Sequence, residues 1–141
     1  EQCVELLIDA GADIEAVSRD GSTALMMAAK WHNSESMCLL IDAAADIDVT
    51  NNDGDNALIA AASEGHVEGV RLLLNHNADL NTENVQGINA LMRAAEGGHN
   101  ECVQLLVNAM VARERKRQRR RAASTSSRSG SSHEKKKRRR K

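Results

Sequence analysis

The chain repeats itself every 33 residues. Gly21, Gly54 and Gly87 stand at that interval, and the text after each agrees: GSTALMMAA, GDNALIAAA and GINALMRAA. The second half of the unit returns as well, as QCVELLI at 2–8, ESMCLLI at 35–41, EGVRLLL at 68–74 and ECVQLLV at 101–107. Between them GADIE (11–15), AADID (44–48) and NADLN (77–81) keep step. A period this short is one supersecondary unit. It cannot bury its own apolar face and must stack on copies of itself, which argues against a globule built round a single core.

Each unit reads as two short helices and a turn. Thr23, Asn56 and Asn89 are good N-cap types placed just before an apolar run. Leu25, Ala28 and Ala29 fall at i, i+3 and i+4 on one helical face, and Leu58, Ala61, Ala62 and Leu91, Ala94, Ala95 repeat it. Alanines there let neighbouring helices approach closely. The second helix carries a stripe such as Val70, Leu73 and Leu74. Gly65 and Gly98 suit the turn between the helices, and Gly11 suits a helix C-cap. With no Phe, Tyr or Pro, and Trp31 the single aromatic residue, the core has to be Leu, Ile, Val, Met and Ala.

This pattern of Gly, T/N-A-L, A-A, G-H, L-L-L and A-D-(I/L)-(D/N) at a period of 33 resembles the ankyrin repeat, over about residues 1–111. The resemblance implies an all-α ankyrin-repeat solenoid of helix-turn-helix units with short hairpin loops. One departure concerns the helix starts. The family's T-P-L-H is here T-A-L-M, N-A-L-I and N-A-L-M, so looser starts are expected. The expected domain is 1–112: a half repeat at 1–20, repeats at 21–53 and 54–86, and a terminal repeat at 87–112. The half repeat lacks a first helix, so residues 1–8 should present a raw apolar edge. Further repeats upstream in a parent protein are expected.

Charge divides the chain at the same place. Up to Ala112 there are 18 acidic and four basic residues, a charge of −14; from Arg113 onward 15 basic and two acidic residues give +13. The formal total of −1 describes neither part. At the junction Met110 stands where Gly11 stood and Ala112 where Asp79 stood. The last helix is therefore expected to run into the tail (113–141) to about Ala122. Beyond it, Ser124–Ser132 reads as a flexible linker and Lys135–Lys141 as a disordered basic block. No run approaches the roughly 18 apolar residues of a membrane span.

The residues offer little for catalysis, and no catalytic residue, cofactor or metal ligand is assigned. His66 and His99 share one repeat position and read as structural; His76 lies in a loop. Cys3 and Cys102 are three repeats apart, whereas a disulfide needs Cα atoms within about 7 Å. Cys38 sits at another register, and all three read as thiols in a reducing compartment. The stretch Asn51–Asp55 fails as a calcium loop, because Val49 and Ala60 stand where Asp and Glu are needed.

Binding is the stronger expectation. The resemblance implies a concave face lined by hairpin tips and first helices, and the positions that vary between repeats fall there. They are Arg19, Asp20, Ser22, Met27, Lys30 and Trp31; then Asn52, Asp53, Asp55, Ser63 and Glu64; then Val85, Gln86, Ile88, Arg93 and Glu96. Trp31 with Met27 is a hot-spot candidate for a protein partner; the plainer reading is that Trp31 covers the adjoining repeat. In the tail, Arg115, Lys116, Arg117, Arg119, Arg120 and Arg121 form one basic cluster. Lys135, Lys136, Lys137, Arg138, Arg139, Arg140 and Lys141 form a second. The pair resembles a bipartite nuclear signal read by an importin. It also suits polyanion contact through phosphates alone, since no aromatic residue is there to stack on a base. A lipid surface and the chain's own acidic body are further candidates for it. The resulting expectation is a non-enzymatic adaptor, intracellular, nuclear if the basic clusters act as a signal and otherwise cytoplasmic, with a protein partner and no small-molecule substrate. The alternative is a regulatory or substrate-presenting segment of a larger enzyme.

Overall fold

A computed structural model describes the backbone of residues 2–139 and the side chains of residues 4–125. The side chains of Cys3 and of Lys135–Arg139, and Arg140 and Lys141 altogether, lie outside the described residues. The described residues are all-helical: α1 (Gln2–Asp9), α2 (Ala24–Lys30), α3 (Ser34–Asp42), α4 (Ala57–Glu64), α5 (Val67–Asn75), α6 (Ala90–Glu96) and α7 (Asn100–Arg139). The chain divides into two compact units, Glu1–Val107 and Asn108–Lys141.

In the first unit, helices of like register stack. First helices pack in one column, α2 on α4 and α4 on α6; second helices pack in another, α1 on α3 and α3 on α5. Within a repeat, α2 packs on α3 and α4 on α5. The alanines permit this. Ala28, Ala29, Ala57, Ala61, Ala62, Ala90 and Ala94 are all buried, alongside Leu25, Leu58, Ile59, Met37, Leu73 and Leu106.

The helix starts are tighter than the missing Pro and His led us to expect. Thr23 Oγ1 accepts from the Met26 amide at 3.3 Å, and Asn56 and Asn89 Oδ1 accept from the Ile59 and Met92 amides at 2.9 Å. The cap side chain holds the first turn without help from a proline ring.

Three positions per repeat take a positive φ. At the hairpin tips these are Gly21, Gly54 and Gly87; between the helices His32, Gly65 and Gly98; after the second helix Gly11, Ala44 and Asn77. The residue after this last turn but one is always aspartate. Asp13, Asp46 and Asp79 accept from the amides of Glu15, Asp48 and Asn81 at 2.9–3.1 Å, an Asx turn that holds the chain out of the helix. Ala112 has no such oxygen. With it and Met110 in place the helix continues, as expected at this junction.

It also continues further than expected. The backbone is helical through Ser124–Ser132, past the Ala122 end, and on to Arg139. No proline interrupts this stretch, and Arg, Lys, Gln and Ala before it are strong helix formers. Thr125 Oγ1 donates to the Arg121 carbonyl one turn back at 2.7 Å.

Candidate functional site

The hairpins join consecutive repeats through the backbone. The Asn52 amide donates to the Asp20 carbonyl and the Val85 amide to the Asp53 carbonyl, both at 2.9 Å. Asn52 Nδ2 adds a bond to the Arg19 carbonyl at 3.2 Å, and Asn84 Nδ2 donates to Asp55 Oδ1 at 2.9 Å. The tips are thereby held side by side, with their acidic side chains on one surface.

That surface and the column of first helices enclose a groove of about 170 Å³ between the repeats at 21–53 and 54–86. Asp20, Ser22, Met27, Lys30, Asp53, Asp55, Ser63 and Glu64 line it together, with Met26, Asn51 and Ala60. Eight of the residues expected on a binding face are therefore gathered at one place. Four are acidic and only Lys30 is basic, so the groove favours cations. Asp20 is held ionised: the Ser18 hydroxyl bonds its carboxylate and, with the Ser22 hydroxyl and amide, keeps its pKa below the ordinary carboxylate value.

The terminal repeat makes a separate cluster. Arg93 pairs with Glu96 at 3.4 Å and donates to Gln86 Oε1 at 3.4 Å. Ile88 is half-buried, its amide donating to Asn84 Oδ1 at 3.0 Å, and Val85 is exposed at the tip. Arg19 and Asn52 are exposed, and Arg19 meets the ladder through its carbonyl only.

Trp31 goes elsewhere. It is 72 % exposed and lines a second, apolar groove of about 350 Å³ with Val4, Leu7, Ile8, Ile14, Ala24, Met27, Ala28 and Leu40. Only Met27 borders both grooves. Reading variable positions alone misses this second set. The signal that finds it is periodicity: Ala24, Met27, Ala28 and Trp31 stand at i, i+3, i+4 and i+7, one stripe of α2.

His32, His66 and His99 bind repeat to repeat. His66 Nδ1 donates to the Ala29 carbonyl at 3.0 Å, which fixes the tautomer, so Nε2 accepts from the Ser34 hydroxyl at 2.9 Å. His32 stacks on that ring at 4.7 Å and donates to the Glu64 carbonyl at 3.0 Å. His99 donates to the Ser63 carbonyl at 3.0 Å. These donors satisfy the orphan carbonyls at helix ends. Burial holds the His66 pKa below its ordinary value, only partly opposed by the Ala29 carbonyl.

Cys38 is an exposed thiol, and Cys102 is buried, which raises its pKa. Among the described residues, no cluster of three or more His, Cys, Asp and Glu is arranged to hold a metal ion, and no helix is long and apolar enough to cross a membrane. In the tail, Arg115, Lys116, Arg117, Arg119, Arg120 and Arg121 are exposed on α7.

Comparison with curated proteins returned no match. The family model of ankyrin repeats in three copies matches residues 1–84 and 33–119. Such repeats are a general protein–protein interaction module, typically non-catalytic, and imply protein partners. With 33-residue periodicity, capped helix pairs, linked hairpins and this match in agreement, the chain belongs to the ankyrin-repeat family.

Proposed function

We propose that the protein is a non-enzymatic adaptor, a repeat solenoid whose groove between α2 and α4 takes a basic segment of a partner protein. The observation that carries this is the gathering of Asp20, Asp53, Asp55 and Glu64 round one cleft. Ser22 and Ser63 supply hydroxyls beside them, and Met26 and Met27 an adaptable apolar floor. Charge at such a surface sets on-rate and specificity more than affinity. Binding is therefore expected to weaken with salt. The test is a pull-down with residues 1–112 and with the double variant Asp53→Lys, Glu64→Lys. Loss of the captured partner at unchanged circular dichroism supports the reading; equal capture by both overturns it.

The tail is assigned a separate role, nuclear import through its two basic clusters. Its spacing of Arg113–Arg121 and Lys135–Lys141 supports this. A reporter fused to residues 113–141 is expected to concentrate in the nucleus, and uniform distribution would sink that assignment. Polyanion contact is the competing role for the same charge. It predicts nucleic-acid binding that collapses with salt and vanishes when the tail is deleted.

A further inference from the structure

One serine of the tail stands in a setting no other hydroxyl of the chain shares. Ser124 follows Arg121 by three residues and Arg119 by five, and it alone among the serines and threonines has arginine at both −3 and −5. Ser22 has Arg19 at −3 but Val17 at −5, and it is buried. Ser131 has Arg128 at −3 but Ser126 at −5. Thr125 has Ala122 at −3, and its hydroxyl already donates to the Arg121 carbonyl. Residues 119–125 are all exposed, so Ser124 and its three arginines are open to solvent.

We propose that Ser124 is the phosphate acceptor for an arginine-directed serine kinase, and that the phosphate then pairs with Arg120 and Arg121 on α7. The two steps use different arginines. In an extended chain side chains alternate, so −3 and −5 project to one side. Arg119 and Arg121 then offer two guanidinium forks to carboxylates in the kinase cleft, and Arg120 faces away. In a helix the neighbours are −3 and −4, so α7 sets Arg121 and Arg120 beside Ser124 and turns Arg119 aside. The kinase must open the helix to reach its substrate, and this costs little. Arg115–Arg119, Lys116–Arg120 and Arg117–Arg121 are like charges at i,i+4, and the serines that follow are weaker helix formers than the arginines before them. In the transfer the Ser124 hydroxyl proton passes to the kinase's base and Oγ bonds to the γ-phosphorus of ATP. The bond from that phosphorus to the bridging oxygen breaks, and ADP leaves. The product sets a charge of about −1.5 to −2 on a cluster of otherwise basic character. Charge-assisted pairing with Arg120 and Arg121 withdraws both from any outside anion. The site does not rest on which receptor or polyanion the tail meets.

The test incubates the full chain with magnesium ATP and a purified serine kinase selective for arginine at −3 and −5, and maps phosphate by mass spectrometry. A single phosphate on Ser124 is expected, and Ser124→Ala is expected to abolish it. Arg119→Gln is expected to lower kcat/KM at least about ten-fold, the loss of a charge-assisted pair, and Arg120→Gln less than about three-fold. The phosphorylated chain reverses that order. Its second phosphate pKa, read by phosphorus NMR, is expected below the ordinary value of about 6. Arg120→Gln is expected to raise it and Arg119→Gln to raise it less. Both variants remove one charge, so the difference between them reads position and not net charge. No phosphate on Ser124, or equal incorporation in Ser124→Ala, overturns the site. Equal kcat/KM in the two arginine variants overturns the extended recognition, and equal phosphate pKa values overturn the helical pairing.

Discussion

At the scale of single residues, the repeats are held by groups whose types were legible but whose work was not. A histidine in the G-H turn was readable at position 66; its tautomer and its two partners come only from packing against the preceding repeat. Because burial lowers the His66 pKa, the folded state resists protonation that the unfolded chain accepts. Below the ordinary value of 6.5 the unfolded state therefore binds more protons, and stability falls as pH drops through that point. The thermal midpoint is expected to decline between about pH 7.5 and 5.5, and His66→Gln is expected to start lower and flatten that slope. Backbone strain was less legible still. Nothing in AAADID announces that Ala44 is left-handed, since Gly11 and Asn77 are the ordinary occupants of the register. Ala44 takes φ 67° at a cost of about 1 kcal/mol. Ala44→Gly is expected to stabilise the fold by roughly that amount in urea unfolding, whereas a glycine in the middle of a helix destabilises. Trp31 marks the limit of reading by variation. Variation between repeats reads as a binding-face position, but helical spacing turns this one toward α1 and not toward the acidic tips.

At the scale of elements, hairpins and helix ends decide the architecture. The glycines at 21, 54 and 87 look equivalent in sequence and share a positive φ, yet their surroundings differ. A Cβ on Gly54 would lie 2.9 Å from Asn84 Cα, against the neighbouring hairpin, whereas one on Gly87 meets nothing within 4 Å. Gly87→Ala is expected to cost only the backbone penalty, about 1 kcal/mol, and Gly54→Ala clearly more, because the tip ladder must open. Equal losses on denaturant unfolding would refute that ladder as a close contact. The end of the repeats is explained by two substitutions at equivalent registers. Met110 replaces the left-handed residue, and Ala112 replaces the aspartate that makes the Asx turn. The double variant Met110→Gly, Ala112→Asp is expected to restore a stop near Ala109. It would reduce helical circular dichroism without moving the melting midpoint of the repeats. The failure of the turn was legible in sequence; the helical run through Ser124–Ser132 was not, because serine-rich composition argues equally for a linker.

For the whole molecule, what matters is that the boundary of the fold and the boundary of the charge nearly coincide. Leu106 is fully buried, the first compact unit ends at Val107, and the basic residues begin at Arg113. Removing residues 113–141 is expected to shift the thermal midpoint by less than about 4 °C, since no buried apolar side chain of the repeats is lost. Removing residues 100–141 takes away Cys102 and Leu106, both 0 % exposed, and is expected to cost at least about 3 kcal/mol. The truncated 1–112 carries −14 without the tail, so self-repulsion adds a term of its own. Added salt is expected to raise the midpoint of 1–112, because screening relieves like charges that lie within a Debye length, about 10 Å at 0.1 M. The same salt is expected to weaken capture of a basic partner by the acidic groove. One variable thus separates the two roles of the acidic surface. If salt lowered the stability of 1–112, ion pairs such as Arg93–Glu96 would outweigh repulsion, and the acidic residues would have to be read as structural.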